Sequence, residues 1–319
     1  MIVDPLPLAT PHNAGATLLL LHGFTGSGAS WAAHAAYLRT AGLRVLSPDL
    51  PGHGANLPAN PDDYTMEVAA GQLAALLEAE KSGPVHLLGY SMGGRLALYF
   101  ALHYPEKVRS LILESASPGL ASAEERAARR ASDDALADRI EREGIPAFVA
   151  FWESLPLWKS QACLPVAAQQ WLHESRLRND PTGLARSLAG MGSGVQPSLW
   201  ERLNELRMPA LLLAGAEDAK FVEIAQQMAE RIPSARLEVV PEAGHTVHWE
   251  QPDAFREIVV GWVLPARDRY LRSNERRENP TMPVSCGGYI ASSVLGSSGR
   301  DIQTEPSPLR RKNPTYGSL

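Results

Sequence analysis

The chain has 319 residues, 45% of them hydrophobic and 20% charged, enough for one large core or a core carrying an insertion. A net charge of −5 and a pI near 6.0 lack the basic surplus that a general nucleic-acid binder would show. Cys163 and Cys286 stand far apart in no metal-type spacing, so neither a disulfide framework nor a zinc site is indicated.

Met1 to Pro11 has no basic segment ahead of an apolar run, and no apolar run approaches the roughly 18 residues that span a bilayer. The expectation is a cytoplasmic protein without a membrane span. Ala16–His22 reads as a buried parallel strand opening into the glycine loop His22-Gly23-Phe24-Thr25-Gly26. Helical spacing follows over Trp31–Thr40. Arg44–Leu50 reads as a second strand, ended by Pro51-Gly52-His53-Gly54. Tyr64–Ala79 predicts a helix capped by Asp62 or Asp63. Val85-His-Leu-Leu-Gly-Tyr90 then leads as a strand into Ser91-Met-Gly-Gly-Arg95, and a helical pattern leads out. Val108–Glu114 is a fourth strand.

From Ala121 the pattern becomes helical only. Glu124–Glu143, Val166–Arg178 and Pro181–Met191 have helical patterns, with Pro146–Trp158 carrying two prolines and two tryptophans. Alternation resumes with a strand at Pro209–Gly215, a helix over Val222–Arg231, a strand at Ala235–Val240 and a helix at Asp253–Leu264. Such alternation predicts an α/β fold, a mostly parallel sheet with helices on both faces. The expected division is a core from residues 1–118 and 198–265, and a helical cap at 119–197 inserted after the fourth strand. Residues 266–319, with nine basic against five acidic side chains and no hydrophobic period, predict a disordered tail.

Gly89-Tyr-Ser91-Met-Gly93 between strand and helix is the context in which a serine becomes a nucleophile on a strained turn. A serine hydroxyl is weak at neutral pH and needs an imidazole and an orienting carboxylate. His245 follows the last strand on Ala243-Gly244 and is the preferred base, with His248 as its alternative. Asp218 at the end of the Pro209 strand is the preferred acid; Glu217 beside it and Glu114 one strand earlier remain open. The backbone amides of Phe24 and Met92 are the expected oxyanion hole. His22 reads as a support for the first glycine loop, and His53 as a turn residue.

Three segments resemble the α/β-hydrolase superfamily: His22–Gly26, Asp49-Leu-Pro-Gly-His-Gly54 and Gly89–Gly94. The resemblance spans residues 16–264. Within it, Arg95, Leu113-Glu-Ser-Ala-Ser-Pro-Gly-Leu120, Glu124–Arg130 and Gly215-Ala-Glu-Asp-Ala-Lys-Phe221 resemble the 2-succinyl-6-hydroxy-2,4-cyclohexadiene-1-carboxylate synthases of menaquinone biosynthesis. That resemblance implies a cofactor-free lyase that eliminates pyruvate from an anionic enolpyruvyl cyclohexene, the Ser-His-Asp triad serving as base. It also implies substrate contacts from Tyr90, Arg95, Arg129, Trp152 and Arg176, with Arg178 the alternative to Arg176. Arginine suits a tricarboxylate through bidentate, charge-assisted hydrogen bonds. Two other readings stand beside it: a serine hydrolase acting on a small carboxylate-bearing ester or C–C bond, and a silent binding module on the same fold.

Overall fold

The structure, a computed structural model, describes residues 15–264; the segment 266–319 and Cys286 lie outside them. Six strands, β1 (Thr17–Leu21), β2 (Arg44–Leu46), β3 (Val85–Tyr90), β4 (Val108–Glu114), β5 (Ala210–Gly215) and β6 (Ala235–Val240), form one sheet. Their order is β2-β1-β3-β4-β5-β6, and every pairing is parallel. Helices α1 (Ala32–Thr40), α2 (Met66–Ala79) and α3 (Met92–His103) accompany the first strands. Between β4 and β5 run α4 (Ala123–Glu153), α5 (Val166–Leu177) and α6 (Pro181–Met191). The chain then continues through α7 (Ala219–Ala229), α8 (Val247–Glu250) and α9 (Pro252–Val263).

Because successive strand residues face opposite sides, an unbroken leucine run serves two cores at once. In β1, Leu19 and Leu21 join the apolar cluster under α2 and α3, while Leu18 and Leu20 join the one under α1 and α9. The strands of this centre are accordingly buried on both faces. The inserted helices bury a third cluster of their own, built from Leu136, Ile140, Phe148, Val149 and Trp152 of α4 with Leu184 and Leu188 of α6. Phe24, on the loop after β1, reaches that cluster, 5.4 Å from Trp152 and 6.2 Å from Phe148 between ring centres.

Three details differ from the sequence expectations. β2 stops at Leu46 rather than Leu50, because it is an edge strand and Pro48 has no N–H to give a ladder. The α2 cap is Thr65, whose hydroxyl accepts from the Val68 amide at 3.3 Å, while Asp62 and Asp63 sit in a preceding turn capped by Asn60. The Glu124 and Pro146 segments are two helices joined directly across a kink and carried here under the one label α4, which is started by a capping box in which Ser122 and Glu125 exchange bonds of 3.0 Å. Its kink falls at Gly144, whose φ of 77° and ψ of 171° let the chain turn just before Pro146.

Candidate active site

The turn between β3 and α3 is the point on which the site depends. Ser91 has φ 51° and ψ −112°, a conformation costing about 1–3 kcal/mol unless its surroundings impose it. The surroundings are glycines: a Cβ on Gly89 would stand 2.2 Å from the Gly93 carbonyl oxygen, and one on Gly93 2.4 Å from that of Leu21. Only a strand and helix without side chains there can approach closely enough to hold Ser91 in that shape. The Ser91 amide is fixed in turn by the Glu114 carbonyl of β4, at 2.9 Å.

His245 Nε2 lies 3.1 Å from Ser91 Oγ, and its Nδ1 donates to Asp218 Oδ2 at 2.7 Å. With Nδ1 protonated, Nε2 is left as the acceptor for the serine hydroxyl. His245 is only 3% exposed, so the pair works in a largely dry setting. Asp218 follows β5 and caps α7, its other oxygen accepting from the Phe221 amide at 3.3 Å. The structure therefore joins Ser91, His245 and Asp218. It does not bring the alternatives to that position. Glu217 is exposed, and His248 and Glu114 are occupied with each other at 2.7 Å behind Tyr90.

The Met92 amide is the first of α3, where helical N–H groups have no partner within the helix. Phe24 follows Gly23 in a loop held by His22, whose Nε2 accepts from Leu50 N at 3.0 Å and whose Nδ1 donates to Gly23 O at 2.9 Å. Thr25, at φ 69°, completes that turn. Asp49 ties the same loop to the Pro51–Gly54 turn, accepting from the Gly28 amide at 2.7 Å and the Ala55 amide at 2.9 Å. His53 sits in that turn, bonding the Pro51 carbonyl at 3.1 Å; burial lowers its pKa to about 3, so it is neutral.

A cavity of about 780 Å³, counting space open to solvent, is lined by Phe24, Tyr90, Ser91, Met92, Arg95, Arg129, Trp152 and His245. Burial, then the neighbouring Arg129 guanidinium, lowers the Arg95 pKa to about 10 against an opposing pull from Asp133. Arg95 is thus charged at neutral pH. Arg95 is steadied through Nη1 by the Met191 carbonyl at 2.7 Å and Gln196 Oε1 at 2.9 Å; Arg129 is paired with Asp133 at 2.6 Å. Two cations against one carboxylate leave this wall positive. Burial and the same Arg129 also lower the pKa of Lys220, next to Phe221. Tyr90 is buried, and burial followed by the Glu114 carboxylate raises its phenol well above the usual range.

Arg176 is not brought into this cavity. It lines a second one of about 470 Å³ on the other side of Phe24, Tyr90 and Trp158, where it pairs with Glu153 at 2.8 Å and Gln161 at 3.0 Å. The α5 helix points it away from Arg95 because its position follows helix packing that spacing alone does not encode. Arg178 is exposed, over the Trp171 ring at 6.0 Å. Several contributors went unread in the sequence. The Phe221 ring packs on His245 at 4.6 Å and the Trp158 ring packs on it at 5.8 Å, while Asn179 donates to the Thr25 carbonyl at 2.9 Å, joining the inserted helices to the loop after β1. Asp133 alone carried a readable signal, four residues after Arg129 on one helix face.

The loop of His245 is held from two sides. Glu250 accepts from the Gly244 amide at 2.7 Å and the Thr246 amide at 3.1 Å, and Gln161 from the insertion donates to Thr246 Oγ1 at 3.1 Å. Among the described residues no group of acidic, cysteine and histidine side chains is arranged to hold a metal ion, and no helix is long and apolar enough to cross a membrane.

A parallel sheet with a strained serine at a strand-to-helix turn, and an Asp-supported histidine arriving from later loops, is the architecture of an α/β hydrolase. The chain belongs to that family: the family model for the alpha/beta hydrolase fold matches residues 16–252. Within the family its resemblance is to 2-succinyl-6-hydroxy-2,4-cyclohexadiene-1-carboxylate synthases. It is 46% identical over 248 residues to a Bacillus subtilis (strain 168) protein provisionally so named, covering 77% of this chain and 90% of that protein. The synthase of Serratia proteamaculans (strain 568) is 34% identical, covering 75% and 89%. The solved structure of MenH from S. aureus superposes with a TM-score of 0.76 at 36% identity, covering 80% of this chain and 94% of that one.

Proposed function

We propose that the chain is a carbon–oxygen lyase of menaquinone biosynthesis, converting 2-succinyl-5-enolpyruvyl-6-hydroxy-3-cyclohexene-1-carboxylate to 2-succinyl-6-hydroxy-2,4-cyclohexadiene-1-carboxylate and pyruvate. The observation that carries this reading is the pair Arg95 and Arg129 in the wall of the cavity that holds Ser91 and His245. Two half-buried arginines with Asp133 as their one carboxylate partner leave a net positive charge in this wall, which suits an anionic ligand. A neutral ester offers no such partner.

In this reading His245, oriented by Asp218, takes the Ser91 proton, and the alkoxide removes the proton alpha to the succinyl ketone. The amides of Phe24 and Met92 hold the enolate oxygen. The electron pair then moves through the ring, the ring C–O bond to the enolpyruvyl group breaks, and the departing pyruvate enolate is protonated by the His245 imidazolium. One proton leaves the ring carbon and one reaches pyruvate, so no cofactor or redox partner enters the balance. Arg95 and Arg129 bind carboxylates, while Tyr90 and Trp152 shape the apolar wall around the ring. The helices between β4 and β5 act as a cap, with Phe24 packed against Trp152 and Phe148 as the contact that seals the site.

The test is to supply the purified protein with the enolpyruvyl substrate and follow pyruvate, alongside a panel of activated esters. Pyruvate release that falls about 10⁴-fold in Ser91→Ala supports the lyase. Fast ester turnover with no pyruvate contradicts it and favours a serine hydrolase.

A further inference from the structure

Behind the site lies a buried pair that the chemistry above does not use. Glu114, the last residue of β4, is completely buried, and its Oε1 accepts two bonds from His248: from the amide at 3.0 Å and from ring Nδ1 at 2.7 Å. Its main-chain carbonyl is the group that accepts the Ser91 amide. One residue thus grips the nucleophile's backbone with its carbonyl and the segment three residues after His245 with its side chain.

The surroundings make this grip rigid. The His248 ring packs against Tyr90 at 4.6 Å and Trp31 at 4.6 Å, so the imidazole has no room to leave the carboxylate. Tyr90 precedes Ser91 and itself meets the His245 ring at 5.5 Å. A buried carboxylate retained here is expensive: one oxygen, Oε2, has no hydrogen-bond partner among the described residues. An apolar side chain would fill the same space at less cost if packing were the only need.

We propose that Glu114 is a positioning residue that, through His248, fixes the His245 loop against the strand end carrying Ser91 and so sets the Ser91–His245 separation. The proposal rests on Ser91 and His245 being the reacting pair, whatever substrate they act on. Glu114 touches neither; it acts by keeping their two supports in register. The 3.1 Å between Ser91 Oγ and His245 Nε2 spans elements 154 residues apart in sequence, and Glu114 is a direct polar link between them.

The experiment compares Glu114→Leu, His248→Phe and Glu114→Gln in the full chain, by turnover and by proton NMR of the imidazole N–H groups. NMR gives a readout independent of the substrate, because the Nδ1 protons of His245 and His248 each sit in a bond to a carboxylate. Glu114→Leu is expected to abolish the His248 signal and broaden that of His245. It should lower kcat about 100-fold, the scale of a sub-ångström to ångström misplacement of reacting groups, with KM little changed. Glu114→Gln, which keeps an acceptor oxygen, should restore most of that loss. His248→Phe, which keeps the ring packing and the backbone bond, should show the same pattern more weakly. In a Ser91→Ala background Glu114→Leu should produce no further loss of turnover. A His245 signal unchanged in both Glu114→Leu and His248→Phe would overturn the proposal, as would an equal loss in the Ser91→Ala background. If Glu114→Leu fails to fold, the His248→Phe spectrum decides the matter alone. Absence of pyruvate release from the unmodified protein would sink the lyase reading while leaving the NMR result to stand.

Discussion

The sheet edge and the inserted helices build the two halves of this site by different means. At the edge, Ser91, Asp218 and His245 each follow a strand end, and backbone geometry positions them: a left-handed serine, a helix cap, a loop clasped by Glu250. In the insertion, Arg129 and Arg176 hang from long helices and are steadied only by other side chains, Asp133 in one case, Glu153 and Gln161 in the other. In the proposed reading, chemistry is thus fixed by main chain and binding by side chain. Changes at the edge should strike kcat, and changes at Arg129 should strike KM.

The largest effect is expected at the edge. Ser91→Ala and Asp218→Asn should each lower kcat by about 10⁴-fold, the second because the imidazole loses the tautomer that leaves Nε2 free. Steady-state pyruvate release measures both, and a loss confined to KM would break the division drawn here. Next come the cavity arginines. Arg129→Ala should raise KM about 10- to 100-fold, the worth of a charged hydrogen bond, with kcat changed less. Arg95→Ala should do the same and also loosen Met191 and Gln196, so its melting temperature should fall. Arg176→Ala tests the contact between the halves. Its guanidinium reaches the base loop through Gln161 and Thr246, so a loss of about 10-fold in kcat is expected with a small change in KM. A KM effect equal to that of Arg95→Ala would instead assign Arg176 to the same substrate group.

Stability should depend on pH through the buried histidines. Burial is the main cause that lowers His34 and His53 to about 3, far below their unfolded value near 6.5. Above pH 6.5 both states hold these rings neutral. As pH falls from 6.5 toward 3, the unfolded chain takes up protons that the folded chain refuses, so stability drops by about 1 kcal/mol per pH unit per histidine. Urea unfolding at pH 7 and pH 5 checks this, and a flat profile would contradict it. His53→Gln should reduce the slope.

Much of the edge was legible in the sequence because its signals are local. Gly89-Tyr-Ser-Met-Gly93 specifies its own strained turn, and Ala243-Gly244-His245 after the last strand leaves few other histidines able to reach it. The inserted helices were legible as helices but not as a surface. Their period tells which residues form a stripe, whereas the direction in which α5 presents Arg176 depends on how it packs against α4. For the same reason Trp158 and Asn179 carried no signal, and Phe221 entered only as the end of a segment with a family resemblance: each matters through a neighbour far away in sequence. The Glu114–His248 pair was visible only as two separate alternatives for the triad, and their mutual bond explains why both lie near the site without joining it.

The claim that Ser91 acts as a relayed base, rather than as an acylated nucleophile, is tested most directly by deuterium. With the enolpyruvyl substrate deuterated alpha to the succinyl ketone, pyruvate release should slow through a primary isotope effect on kcat/KM, and mass spectrometry during turnover should find Ser91 unmodified. An unchanged rate together with a covalent adduct on Ser91 would contradict the account.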